Sequence, residues 1–199
     1  MSSSNKESGM MEFFGLNQKK YTLVIAELYL CVPAALESII KSEGYQEYDM
    51  YRIANTLGVM LPPLIRYPQV YRYKYTTDPS LYGTVIRKDT INHLFFEYNL
   101  PLCEQYTRIT TIGRDLFSSY LFDVLSSGKH IICGYEYHTL HESLECCARH
   151  VSIITDVDPI SEYITLLDPG PNNAGSVFVS SNVLYRAISN AKDGLWVIS

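Results

Sequence analysis

The spacing of apolar residues changes character two-thirds of the way along the chain, and that change limits the folds open to it. Up to about residue 127 the apolar positions recur at helical intervals. Cys31, Ala34, Ala35, Leu36, Ile39 and Ile40 mark one face of a helix that Gly44 stops, and Pro33 falls in the first turn, where its missing N–H costs nothing. A second helix is expected from a capping Asp49 through Tyr51, Ile53, Ala54 and Leu57 to Gly58. Asp89 is expected to cap a third through Ile91, Leu94, Phe95 and Tyr98, and residues 113–126 make a fourth, ended by Gly128. Residues 21–26 suit a strand or a lead-in loop, and residues 59–87, broken by four prolines, are less regular. Beyond residue 127, His130 to Tyr135, His150 to Val157 and Tyr163 to Leu167 are short, β-branched and apolar, as buried strands are. A short helix at 182–190 follows, and Leu195 to Ile198 is placed to close the sheet. Helices first and an antiparallel sheet after them is the α+β arrangement.

At 199 residues the expectation is a single domain over 11–199 behind a disordered polar tail, 1–10, with a helical part at about 20–127 and a sheet part at about 128–199. With 47% hydrophobic and 19% charged side chains, the composition excludes collagen, coiled coil and wholesale disorder. A net charge of −5 argues against a general nucleic-acid binder. Tyr71-Arg72-Tyr73-Lys74-Tyr75 alternates aromatic and basic residues, a pattern that can bind single strands. In an acidic chain it reads instead as an edge strand with three tyrosines on one face, or as a loop facing substrate, and Tyr73 is a candidate lining residue of a cleft. Lys19-Lys20 and the apolar run to Ala35 imitate a signal peptide. They begin deep in the chain, however, Glu27 interrupts the run, and the helix continues past it. The stretch is also too short and too charged to span a bilayer, so a cytoplasmic protein without membrane association is expected.

Five cysteines, an odd number in a mid-sized chain, read as reduced thiols rather than a disulfide framework. Cys31 differs from the rest in opening a helix. Unpaired N–H groups and the positive end of the helix dipole both favour its thiolate, and its own N–H is available to an oxyanion. Fold 150–168 as a hairpin centred on Pro159, and His150 falls directly opposite Asp168 on one face, with Cβ atoms about 4.5–5.5 Å apart. Asp156 and Asp158 are weaker partners, about 20 Å or more along the strand from His150. A thiol, an imidazole that takes and returns its proton, and a carboxylate that orients the ring make a nucleophilic site. Taken singly, each has a plainer reading: a small core residue, a satisfied core histidine, and a cap of the Asp168-Pro169-Gly170-Pro171 turn.

In this order the residues resemble the papain-like cysteine peptidase superfamily, and within it the peptidases that remove double-glycine leaders from bacteriocins. Cys31-Val32-Pro33-Ala34-Ala35-Leu36 is similar to that branch's Cys-Gly-Pro-Ala-Ala-Leu-like motif, with Val32 for Gly. His150-Val151 and Asp168-Pro169 are similar to its later motifs, and the resemblance spans about residues 20–198. It implies a papain-like fold with the nucleophile helix packed on the sheet. Cys31 would be the nucleophile, His150 the base and acid, and Asp168 the orienting carboxylate. It also implies a peptide or other acyl substrate and no cofactor. Family members carry a Gln five or six residues before the Cys to bind the oxyanion, where this chain has Ile25 and Ala26. Glu27 is the nearest polar substitute, and Gln18 serves only if the intervening segment loops back. Three functions stay open: hydrolysis, acyl transfer and a catalytically inactive binding module.

His138, His141, Cys146, Cys147 and His150 place five possible metal ligands within 13 residues. The spacing suits no usual zinc finger, and adjacent cysteines rarely share one ion. His138 and His141 are therefore expected to line the substrate cleft, and no metal site is expected.

Overall fold

A hairpin of β1 (Glu12–Phe14) and β2 (Lys20–Thr22) precedes the helix that the apolar spacing predicts, α1 (Cys31–Ser42). The computed structural model describes residues 12–86, 89–141 and 149–199. The expected tail and the Cys146-Cys147 pair lie outside them. Next comes α2 (Met50–Leu57), capped as expected by Asp49, whose carboxylate accepts the Arg52 N–H at 2.8 Å. The proline-broken region then forms a small sheet of β3 (Val59–Leu61), β4 (Tyr73–Tyr75) and β5 (Gly83–Thr84), with β3 central. Tyr73–Tyr75 is thus an edge strand, but Tyr71 lies outside it, so the expected three-tyrosine face does not form. Asp89 precedes α3 (Thr90–Glu97) without a side-chain cap, because its left-handed backbone (φ 64°) departs from the extended conformation of a capping residue.

β6 (Glu104–Arg108), α4 (Phe117–Ser126), β7 (His130–Glu136) and the short α5 (Tyr137–His141) follow. Then come β8 (Arg149–Asp158), β9 (Tyr163–Asp168), β10 (Gly175–Ser180), α6 (Ser181–Asn190) and β11 (Gly194–Ile198). The large sheet is antiparallel throughout, in the order β10-β9-β8-β7-β11-β6. Two expectations are corrected here. β11 does not close the sheet, because β6 pairs along its outer side. The division at about residue 127 is also not a structural one, since β6 comes from the stretch expected to be helical.

Alternation along the strands sorts two cores. Ile132, Val151, Ile153, Leu167, Trp196 and Ile198 pack with Leu36, Ile39 and Ile40 of α1 and Leu94 and Phe95 of α3. Ile131, Cys133, Ile154, Leu166 and Leu195 pack with Leu121 and Leu125 of α4 and Leu184 and Ile188 of α6. Both faces of the sheet are covered, which is why its central strands read as nearly continuous apolar runs. Among the described residues no helix is long and apolar enough to cross a membrane.

The hairpin that carries the site departs from the expected register. Asp158 pairs with Tyr163 across a four-residue loop, and a bulge between Ile154 and Asp156 shifts the pairing, so that Ile153 meets Leu167. Continued one step, this sets Asp168 beside Ser152, two residues from the direct pairing with His150 expected from sequence. A displacement of two residues keeps both side chains on one face; a displacement of one would have separated them.

Candidate active site

Cys31 is the first residue of α1, and Leu30 caps that helix. The first N–H groups of a helix have no acceptor inside it, so the Cys31 amide and thiol sit where a developing anion is favoured. The approach to Cys31 is braced from several sides. Leu30 N–H donates to Glu27 O at 3.0 Å in a turn that holds Tyr29 left-handed (φ 69°), and Ala26 N–H donates to Pro169 O at 2.8 Å. That last bond fastens the lead-in of the nucleophile to the loop that follows Asp168. Tyrosines complete the bracing. Tyr67 Oη donates to Leu28 O at 3.0 Å, the Tyr29 and Tyr82 rings meet edge to face at 5.1 Å, and Tyr51 Oη donates to Glu27 Oε1 at 3.4 Å. Four of the chain's 17 tyrosines, Tyr29, Tyr51, Tyr67 and Tyr82, therefore meet at this turn.

The structure brings Cys31, His150 and Asp168 together. His150 is buried, and its Nε2 donates to Asp168 Oδ1 at 2.8 Å. This leaves Nδ1 for the Cys31 thiol, whose proximity raises the pKa of the ring. Asp168 is fully buried and densely supplied with donors. Oδ1 also accepts the Gly170 N–H at 2.7 Å, and Oδ2 accepts Tyr135 Oη at 3.1 Å. Gly170 presents its N–H from a left-handed backbone (φ 84°), where a Cβ would also press on Ala174 at 3.0 Å. Because the carboxylate can only accept, the Tyr135 proton points to it, and Ser152 Oγ, 2.9 Å away, donates to the phenol oxygen in turn.

Burial works against the charged form of His150, but the hydrogen bonds to Asp168 and Cys31 and their charges outweigh it and push its pKa up to about 10. Burial likewise opposes ionisation of Asp168, and the two neighbouring imidazoles and the Gly170 N–H outweigh it, holding the carboxyl well below the usual range. Cys133 is the contrasting thiol. Burial pushes it far above the ordinary thiol range, so it stays protonated and inert.

The other candidates divide. His141 reaches the site, with Nε2 3.6 Å from Asp168 Oδ2. His138 is exposed instead and shares a surface depression with Thr139, Arg186 and Asn190. Tyr73 packs against the cluster of Ala26, Leu30, Ala34 and Val59, with its ring 5.0 Å from that of Tyr75. Glu27 is exposed, and its carboxylate is held by Tyr51. Gln18 belongs to the β1–β2 turn, where the adjacent Leu16 N–H bonds Thr155 O, five residues along β8 from His150; the lead-in does not loop back. Ile25 and Ala26 put no side-chain donor at the positions where the resemblance expects Gln. Asp156 and Asp158 lie toward the far end of β8. Among the described residues no three His, Cys, Asp or Glu side chains group to hold a metal ion. Tyr135 and Ser152 escaped the sequence reading. The usable signal was the pairing of β7 with β8, which sets Tyr135 opposite His150 and Cys133 opposite Ser152.

This architecture, a mixed α+β chain with a large antiparallel sheet and a cysteine-headed helix against it, is the papain-like cysteine proteinase fold. A crystal structure from Bacillus anthracis, described as that of a putative C39-like peptidase, matches it with a TM-score of 0.58 at 12% identity, over 95% of this chain and 98% of that one. At that identity the likeness is one of fold. No protein-family model and no curated protein sequence matches the chain.

Proposed function

We propose that the protein is a cysteine hydrolase acting on a peptide, isopeptide or related acyl bond through Cys31, His150 and Asp168. The observation that carries this reading is the partly exposed thiol at a helix N-terminus beside a buried histidine whose Nε2 is held by a buried carboxylate. In the reaction the Cys31 sulfur attacks the acyl carbon and the carbonyl π electrons move to oxygen, where the Cys31 N–H receives the charge. Collapse expels the leaving group, which takes its proton from the His150 imidazolium, and a thioester remains. Water, deprotonated by His150, then attacks the thioester, and the acid leaves as the thiol is restored. An amine in place of that water gives acyl transfer. The Cys31-Val32-Pro33-Ala34-Ala35-Leu36 motif supports a likeness to the double-glycine leader peptidases, and the free thiols of Cys31, Cys103 and Cys133 suit the reducing cytoplasm.

Peptide-mapped iodoacetamide labelling of the native protein at pH 6 tests the reading. Cys31 is expected to react at least about tenfold faster than the exposed Cys103, whose thiol lacks an imidazole partner of this kind. Equal rates would defeat it. One observation favours a second reading, a binding module without turnover: Ile25 and Ala26 offer the oxyanion no side-chain donor. Turnover of a thioester or peptide library that disappears in Cys31→Ala would remove that alternative.

A further inference from the structure

His141 has no part in the chemistry above, yet its placement is specific. Its Nε2 is buried, has no hydrogen-bond partner among the described residues, and points at Asp168 Oδ2 from 3.6 Å. A buried polar nitrogen without a partner is costly, so one left facing a carboxylate needs an explanation. The ring packs on Tyr137, with centroids 4.2 Å apart and the planes tilted by 31°. Tyr137 also lies edge-on to the His150 ring, 5.3 Å away at 85°. Tyr137 thus touches both imidazoles, as does Tyr135, and both imidazoles face one carboxylate. Hydrogen bonds in unliganded active sites are often long and tighten only when substrate binds.

Resting on the reading of Cys31, His150 and Asp168 as the catalytic set, we propose that His141 is a positioning residue that donates its Nε2–H to Asp168 Oδ2 in the working site. It acts together with Tyr135 Oη on that oxygen and leaves Oδ1 to His150. Its effect on the thiolate runs through Asp168. A carboxylate held at both oxygens keeps its charge and its orientation, and so keeps the imidazolium that pairs with the Cys31 sulfur.

Two substitutions separate donation from packing. His141→Phe keeps the stack on Tyr137 and removes the donor, whereas His141→Gln keeps an N–H at about the same reach and removes the stack. The readout is the alkylation rate of Cys31 relative to Cys103 in the same folded sample, checked by circular dichroism. His141→Phe is expected to lower that ratio about tenfold, with His141→Gln restoring it to within about threefold of wild type. An unchanged ratio in His141→Phe overturns the proposal, and so does a loss in His141→Gln as large as in His141→Phe. A wild-type ratio near one would defeat the catalytic reading itself, an outcome distinct from both.

Discussion

Two buried histidines in this protein each stand between a carboxylate and a weaker acid, and the two differ in what that acid is and how open it is to solvent. His150 joins Asp168 to the Cys31 thiol. His130, at the start of β7, joins Glu43 to the Tyr21 phenol: Nε2 lies 2.7 Å from Glu43 Oε1 and Nδ1 lies 2.7 Å from Tyr21 Oη. Around His130 every proton is accounted for. Asn17 Nδ2 donates to the Tyr21 oxygen, so the phenol donates to Nδ1, and Nε2–H donates to Glu43, which Lys19 also pairs at 2.7 Å. Burial pushes the Tyr21 phenol far above its usual range, while the hydrogen bond from His130, aided by Lys19, brings Glu43 down to about 2. Two differences separate the pairs. The third member is a phenol without access to solvent in one and a half-exposed thiol in the other, and only the thiol has a helix N-terminus behind it. A histidine–carboxylate pair is thus a neutral building block whose use is decided by what occupies the ring's other nitrogen.

Removing the third member should separate the two pairs most widely. Cys31→Ala is expected to abolish turnover, a loss on the order of 10⁴-fold or more. Tyr21→Phe is expected to leave the labelling rate of Cys31 unchanged. Removing the two rings should then split rate from stability. His150→Ala is expected to slow Cys31 alkylation at pH 6 by about 100-fold, because the sulfur loses the imidazole beside it. His130→Ala is expected to leave that rate within about twofold while costing about 2–4 kcal/mol in urea melts, since Tyr21 and Glu43 lose their partner in the interior.

Titration separates the pairs by sign. The folded-state pKa of His150 is raised from 6.5 to about 10, so the stability it contributes is complete below pH 6.5 and is lost as pH rises through about 10. That of Glu43 is lowered from 4.5 to about 2, so its contribution is present above pH 4.5 and is lost as pH falls toward about 2. Urea midpoints across pH should show the alkaline loss flattened in Asp168→Asn and the acid loss flattened in Glu43→Gln; the reverse assignment would break the comparison. The smallest effect is expected from Tyr135→Phe. It removes one of several donors to Asp168, at about 1 kcal/mol of stability and a few-fold in Cys31 labelling.

The helices and the central strands were legible because burial on both sides of the sheet leaves long apolar runs, as in His130–Tyr135 and His150–Val157. β6 and β10 were not. They lie at the two edges of the sheet, and Glu104-Gln105-Tyr106-Thr107-Arg108 buries too little to imprint an apolar period. The grouping of Cys31, His150 and Asp168 was expected from the helix start at Cys31 and from one shared face for His150 and Asp168. The register between them was not, because a bulge leaves no mark in composition. The donor on the far oxygen of Asp168 depends on the pairing of a third strand, β7, and the imidazole beside that oxygen on the short α5, which no local pattern announces.

The bulge at Thr155 makes the hairpin behave like a parity check. With a four-residue loop and no bulge, Asp168 would stand opposite Ile153 and face away from His150; the single extra residue restores agreement. A one-residue insertion or deletion between His150 and Asp168 should therefore erase the site, and a second one in the same hairpin should restore it. The odd residue is met by the β1–β2 turn, whose Leu16 N–H bonds Thr155 O at 2.7 Å.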